Sequence, residues 1–220
     1  SRGSNMRLFG GLFAFAIVAA LIVAAILVLR PLPKPHLVIM TAEIRTPILD
    51  CNAFAHADAA ALCDRRSILD TRSADAKSMG ATELAAQVTH LANVKPQRSW
   101  FGGEPTTALV YVNTPGVSVW SPLQNRAVAY LLPDDFEIPT KLDSADLTQA
   151  VKVRDLFASL AKSKADRKIV ILDAQRVDNL WPLGVLTNLF IETVKEEIAS
   201  LSKEERRGLY VFASCSAGEV

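Results

Sequence analysis

Histidine and cysteine, side chains well suited to general-base and nucleophilic chemistry near neutral pH, are scarce in this chain. Its 220 residues hold three histidines and three cysteines: His36, His56, His90, Cys51, Cys63 and Cys215. A nucleophilic cysteine needs a neighbouring base that lowers its pKa. Only Cys215 follows a predicted strand, and no histidine stands where it would serve that thiol. We therefore interpret the three histidines as surface or helix-face residues.

The sequence also lacks the usual motifs for binding metal ions, phosphate groups and nucleic acids. The sequence has no Cys-x-x-Cys pair, no Walker-type glycine loop, no G-x-G-x-x-G and no G-x-S-x-G. Asp173 and Asp178 follow a predicted strand and suit metal binding or acid chemistry, but aspartates there more often cap a loop. Basic and acidic residues nearly balance, 24 against 23, whereas a nucleic-acid surface needs a basic excess. We predict no metal ion, no other cofactor and no nucleic-acid partner.

The elements that must position these groups alternate between strand and helix. Apolar runs predict strands at 36–40, 107–112, 168–172 and 209–213, a short strand at 67–70, and a hairpin pairing 117–120 with 126–132. Helical spacing predicts helices at 52–62, 82–91, 147–161 and 187–201. On the last helix, Glu192, Lys195, Glu196 and Glu197 are expected to face water. Cys51 and Cys63 flank the first helix, a spacing that fits both a disulfide outside the cytoplasm and two incidental thiols.

This alternation predicts an α/β fold with a mainly parallel sheet covered on both faces, since the strands are apolar throughout. Functional sites in such sheets form at the carboxyl ends of the strands. Those positions are 113–117, 173–178 and 214–219 in this chain.

A run of 22 residues without charge, from Leu8 to Leu29, precedes this domain. As a helix it would be about 33 Å long, enough to cross a hydrocarbon core of roughly 30 Å. It predicts a single-pass membrane protein; a cleavable signal peptide is the alternative, but the run is long for one and lacks a cleavage site. Both flanks carry similar basic charge, so the side of the membrane stays open. We predict a tail at 1–7, a transmembrane helix at 8–29, a proline-rich linker at 30–36 and one domain at 37–220.

Three segments resemble strand ends of the caspase-like cysteine proteases, the peptidase C14 and metacaspase group. ALVYVNTPGV (108–117) is similar to the family's strand ending in YFSGHG, AYLLPDD (129–135) to its YLLPxD segment, and KIVILDAQR (168–176) to its LLDACR strand end. The resemblance covers about 36–220 and is to the bacterial, membrane-anchored type. It implies a three-layer caspase-like sandwich, with a further helix and strand expected beyond Val220.

Carried over residue by residue, the resemblance implies a site without its catalytic dyad. Pro115 stands at the position of the family's general-base histidine, and Gln175 at that of its nucleophilic cysteine. Gly116 matches a residue whose backbone N–H helps to form the oxyanion hole. Proline has no titratable group and an amide is a poor nucleophile, so the resemblance implies a pseudo-protease.

The first hypothesis for function is a membrane-anchored, catalytically inactive caspase-like domain that acts as a binding or scaffold module. The vacated cleft would bind a peptide or an acidic group, and a protein or peptide is the expected partner. The expected lining is Asn113, Gly116, Asp173, Gln175 and Arg176. The alternative is a cysteine-type peptidase or other hydrolase that uses Cys215 or Asp173 as a non-standard reactive group. A plain flavodoxin-like domain is the third hypothesis; it would lack the hairpin and have a different strand order.

Overall fold

The computed structural model describes residues 34–42, 44–45, 50–51, 55–66, 69–70, 77–94, 105–137, 147–174 and 189–214. The chain divides into two compact units, Ser1–Pro33 and Lys34–Val220, and every described residue lies in the second. These residues form an α/β fold with four helices and a four-stranded parallel sheet, as the sequence predicts.

The single-pass membrane prediction is corrected. Among the described residues, no helix has both the length and the apolar character needed to cross a bilayer. The longest described helix has 11 residues, whereas crossing takes about 20. Residues 8–29, on which the prediction rested, lie outside the described residues. The single-pass localisation is therefore withdrawn.

The elements follow in this order: β1 (His36–Thr41), β2 (Ile44–Arg45), β3 (Asp50–Cys51), α1 (Ala55–Cys63), α2 (Ala81–Leu91), β4 (Thr107–Asn113), β5 (Gly116–Ser121), β6 (Arg126–Leu131), β7 (Val151–Lys152), α3 (Val153–Lys162), β8 (Arg167–Leu172), α4 (Phe190–Ala199) and β9 (Leu209–Ala213). The main sheet has the order β1–β4–β8–β9, and all three pairings are parallel. Of the predicted strand at 67–70, residues 67 and 68 lie outside the described residues, and Asp70 forms an isolated parallel bridge with His36.

Both faces of β1 are buried, which explains why this strand is apolar throughout. The cover expected on both faces of the sheet does not extend to all of β9, where Tyr210 is 54% and Phe212 58% exposed. On β1, Val38 and Met40 join the larger core together with side chains of α2, α3 and α4. The alternate residues Leu37 and Ile39 pack on the opposite face, against Ala59 of α1. All four β1 side chains are at most 1% exposed. Because successive side chains of a strand point to opposite faces, one continuous apolar run contributes side chains to two hydrophobic clusters.

A second sheet consists of the antiparallel strands β5, β6 and β7. The predicted hairpin is confirmed, with Val117 paired to Tyr130 and Ser121 to Arg126. The predicted helix at 147–161 is wrong at its start, because Val151 and Lys152 form β7 and pair with β6. The helix begins only at Val153. The spacing of the apolar residues favours a helix here, but hydrogen bonds to the edge of the hairpin hold Val151 and Lys152 in a strand.

The hairpin packs on α4 and covers one of its charged residues. Ser118 Oγ of β5 lies 2.6 Å from Thr193 Oγ1 of α4. One turn further along α4, Glu197 is fully buried, so the expectation that it faces water is wrong. The spacing of residues along the helix could not predict the burial of Glu197, because the strands that cover it are about 70 residues away in the chain.

Burial is the largest influence on the Glu197 carboxyl, and it raises the pKa of that group. The guanidinium of Arg126, whose Nη2 lies 3.9 Å from Glu197 Oε1, opposes the shift. The Ala129 N–H opposes it as well. The net direction remains upward, so the folded state favours the neutral carboxyl.

Glu197→Gln is expected to raise the free energy of unfolding at neutral pH by roughly 1 kcal/mol, since the amide removes a buried charge. Stabilisation by neutral Glu197 is complete below the ordinary pKa of 4.5 and is lost as the pH rises through the raised folded pKa. The advantage of the variant therefore grows from acid to neutral pH. Urea unfolding at a series of pH values measures it. Exposed Glu196→Gln is the matched control, and identical pH profiles for the two variants would contradict the account.

Gly116→Ala is expected to destabilise the fold by about 1–3 kcal/mol through overpacking. A Cβ at this position would lie 2.8 Å from ring carbons of Phe190 in α4. Urea unfolding measures the loss. Adding Phe190→Leu makes room for the new methyl, so the double variant should lose less than the sum of the two single changes. Strict additivity would show that the two residues do not meet.

Candidate functional site

The carboxyl ends of three neighbouring strands meet at one edge of the main sheet. Thr41 at the end of β1 stands beside Asn113 at the end of β4. The Asp173 N–H donates to the Val112 carbonyl at 2.8 Å, which extends the β4–β8 pairing by one residue. The Ala42 N–H donates to the Asn113 carbonyl at 3.0 Å. The backbone ladder therefore fixes where Asn113 and Asp173 stand.

The side chains of Tyr111, Asn113 and Asp173 form one hydrogen-bonded cluster at this edge. The Tyr111 hydroxyl donates to Asp173 Oδ2 at 3.1 Å. Asn113 Nδ2 donates to the Tyr111 hydroxyl at 3.0 Å and reaches Asp173 Oδ2 at 3.4 Å. Tyr111 and Asn113 are two residues apart on β4, so the pleat places them on the same face. We call these three residues the strand-end cluster.

Burial controls the electrostatics of the strand-end cluster. It is the largest cause that raises the pKa of Tyr111 to about 12, and the Asp173 carboxylate acts in the same direction. Asp58 of α1 adds to it, whereas the hydrogen bond from Asn113 opposes it. Tyr111 is therefore a neutral donor at physiological pH and a poor acid or base there.

Two buried oxygen atoms at this edge accept no hydrogen bond from any described residue. They are Oδ1 of Asn113, which is 4% exposed, and Oγ1 of Thr114, which is fully buried. Buried polar atoms are nearly always paired in native proteins, and each exception needs an explanation. Asn113 uses its amide N–H groups within the cluster, so its remaining capacity is that of an acceptor.

Pro115 and Gly116 follow directly, in the turn that leads into the hairpin. Both are buried. The Pro115 carbonyl accepts the Leu132 N–H at 2.9 Å. Since alternate residues of an antiparallel strand bond to opposite sides, Gly116 directs its N–H away from β6. The structure thus brings the predicted residues Asn113, Pro115, Gly116 and Asp173 to one end of the sheet.

Other predicted site residues fall outside what the structure describes. Gln175, Arg176, Asp178 and Cys215 lie outside the described residues, as do the side chains of Cys51 and His56. The predicted juxtaposition of Pro115 and Gln175 and the disulfide question therefore stay predictions. Cys63 is half-buried and packs beside the apolar cluster that contains Tyr111.

The remaining histidines do not approach the strand-end cluster through any described hydrogen bond. His90 is exposed on α2. His36 Nδ1 lies 3.6 Å from Asp70 Oδ2, at the amino end of β1. Within the described ranges, no group of three His, Cys, Asp or Glu side chains is arranged to hold a metal ion.

Sequence reasoning missed Tyr111 and Thr114 as members of the site. The signal for Tyr111 was its place two residues before Asn113 on a strand, which puts both side chains on one face. Thr114 had no such signal, because its burial depends on the path of the turn into the hairpin.

Comparison with known proteins adds no assignment. No protein-family model matches the chain, and no curated protein matches it. The caspase-like resemblance therefore rests on the three motifs and stays a prediction.

Tyr111→Phe is expected to remove one tyrosine from the alkaline titration near pH 12. Because the folded pKa is raised, the folded protein keeps the phenol proton above pH 10 while the unfolded chain loses it, so stability falls as the pH rises across this window. Ultraviolet absorbance of tyrosinate follows the titration. Tyr210→Phe, at an exposed tyrosine of β9, is the matched control and should leave the late step in place. Burial also raises the pKa of Tyr130, so the amplitude of the late step is the readout. A late step that is not diminished in Tyr111→Phe would contradict the assignment.

Proposed function

We propose that this protein is a pseudo-protease: a caspase-like domain that binds a peptide group without cleaving it. The hairpin that follows β4 supports this over a plain flavodoxin-like domain, for which no such hairpin is expected. Asp173 directly follows β8 and bonds to the end of β4, which also agrees with the motif order of the family. The three-layer caspase-like sandwich is part of this proposal.

The chemistry of the described side chains supports binding rather than nucleophilic catalysis. Pro115 stands where the family has its base, and proline has no group that accepts a proton. Tyr111 holds its proton well above physiological pH and donates to Asp173. A nucleophile would need a partner that both activates and orients it. Asp173 orients the Tyr111 hydroxyl but does not activate it, because the pKa of Tyr111 is raised to about 12.

The chemistry of the ligand follows from the acceptors that the site presents. Asn113 Oδ1 is buried and accepts no hydrogen bond in the described part of the chain, and this observation carries the proposal. Asp173 adds a carboxylate at the same edge, and Asp58 adds a second negative charge near Tyr111. Buried acceptors beside carboxylates fit a cationic donor such as a primary ammonium or guanidinium group. The ligand is therefore a lysine or arginine side chain of a peptide.

The test is a calorimetric titration of the purified full chain with short peptides that contain one lysine or one arginine. Saturable binding is expected, with loss of affinity when the lysine is acetylated or the arginine is replaced by citrulline. Asp173→Asn should weaken binding by about tenfold or more, since charge-assisted hydrogen bonds are worth 1.5–3 kcal/mol. Asp166→Asn is the matched control, because Asp166 precedes β8 at the opposite end of the same strand. Equal binding of charged and neutralised peptides would overturn the proposal.

A parallel assay tests the alternative, which is a hydrolase with Cys215 or Asp173 as the reactive group. The same peptides are incubated with the protein and examined for cleavage, and a thiol-reactive peptide probe is applied to the three cysteines. Intact peptides and no selective labelling are expected. Cleavage together with labelling of a single cysteine would establish the hydrolase instead.

A further inference from the structure

The contact between α4 and the β5–β6 hairpin is partly polar. Gly116 lies against Phe190, and Ser118 Oγ lies 2.6 Å from Thr193 Oγ1. Glu197 follows one turn later on α4 and is fully buried. A buried polar contact stabilises a structure only while its groups are hydrogen-bonded or uncharged. The attachment of the hairpin to α4 therefore depends on the protonation state of Glu197.

The Glu197 carboxyl has little compensation for a negative charge. Neither of its oxygens has a hydrogen-bond partner of normal geometry among the described residues, although the Ala129 N–H is close enough to favour the charged form. Arg126 Nη2 lies 3.9 Å from Glu197 Oε1, which is beyond hydrogen-bond distance. The Nε of the same guanidinium donates to Gln124 Oε1 in the hairpin turn at 3.1 Å. The docked hairpin thus accommodates the neutral acid better than the carboxylate.

The other titratable groups around Glu197 do not replace the missing partner. Arg154 of α3 favours the charged form less than Arg126 does, and its guanidinium donates to the Glu197 carbonyl at 3.4 Å and to Glu205 at 3.5 Å. Asp155 of α3 favours the neutral form. On β6, burial and then the Glu197 charge raise the pKa of Tyr130, and β5 has no titratable side chain.

The hairpin is also a separable part of the structure. In the described part of the chain, its strands pair with each other and with β7 but not with the main sheet. The pairing with β7 extends over two residues of each strand. One face of the hairpin has an apolar cluster of its own, which consists of Val117, Val128, Tyr130, Leu132 and Phe136. Ala129 and Leu131 belong to the larger core and favour the docked position.

We propose that the hairpin is held on α4 while Glu197 is neutral and is released locally when this carboxyl ionises. Release lets water reach the carboxylate and removes the cost of a buried charge, while the main sheet stays folded. The released hairpin leaves Glu197 with its ordinary pKa of 4.5, whereas the docked hairpin raises that pKa. Docking is therefore fully stabilised below pH 4.5 and weakens as the pH rises through the raised value. This device does not require a peptide at the strand-end cluster, so it stands apart from the proposed function.

Hydrogen exchange of the purified full chain, followed by mass spectrometry from about pH 4 to pH 8 and corrected for intrinsic rates, provides the test. Protection of amides in 116–131 should fall by up to about tenfold per pH unit across the titration of Glu197. Near neutral pH it should be roughly tenfold or more below that of β4 and β8. Glu197→Gln should remove this pH dependence. Glu196→Gln, at an exposed residue of the same helix turn, is the matched control and should retain it.

Arg126→Gln is a second variant that keeps Glu197 itself. It removes a cation that favours the charged carboxyl, so release should continue to higher pH than in the unchanged chain. Circular dichroism establishes that each variant is folded, and Arg126→Gln decides if Glu197→Gln does not fold.

Three results would overturn the proposal. The first is the same pH dependence of hairpin protection in the unchanged chain and in Glu197→Gln. The second is protection that increases toward neutral pH, as it would if Arg126 closed on the ionised carboxyl. The third is hairpin protection equal to that of β4 and β8 at every pH, because Glu197 would then act only on the unfolding of the whole domain.

Discussion

The parallel pairing of β4 with β8 is the constraint on which the site and its surroundings depend. It runs from Thr107 beside Arg167 to Val112 beside Leu172, and alternate side chains of both strands are buried in the larger core. One further backbone bond, from the Asp173 N–H to the Val112 carbonyl, continues the pairing past the end of β8. Asn113 and Asp173 are therefore neighbours because of the register. A shift of the register by one residue would turn every side chain of a strand to the other face and would separate the residues of the strand-end cluster.

The hairpin that follows β4 begins at this same edge of the main sheet, and it covers part of α4. It leaves the sheet directly after Pro115 and lies across α4, where Gly116 allows close approach to Phe190. Glu197 is buried as a result, and its carboxyl is held in an environment that favours its neutral form. The turn into the hairpin also buries Thr114. The region after β4 thus accounts both for a buried polar group at the site and for the burial of the Glu197 carboxyl.

Much of the main sheet was predictable, because each strand is a continuous apolar run between turn residues, and such runs indicate strands buried on both faces. The hairpin was predictable from its two apolar runs and the turn between them. What the sequence could not indicate depends on contacts distant in the chain: Val151 and Lys152 pair with the hairpin instead of starting a helix, and Glu197 is covered by it. Of the site, Asn113 and Asp173 were predictable as strand ends, whereas their hydrogen bonds through Tyr111 depend on the register between two strands.

The central claim is that the strand-end cluster is a built acceptor site for a cationic donor. Nuclear magnetic resonance of the Asn113 side-chain amide tests it most directly, since Nδ2 is bonded within the cluster and Oδ1 is the acceptor that the proposed ligand would use. Titration with an arginine-containing peptide should shift this amide resonance in a saturable way, while the citrulline peptide leaves it in place. An Asn113 resonance that stays fixed while the peptide saturates the protein elsewhere would contradict the account.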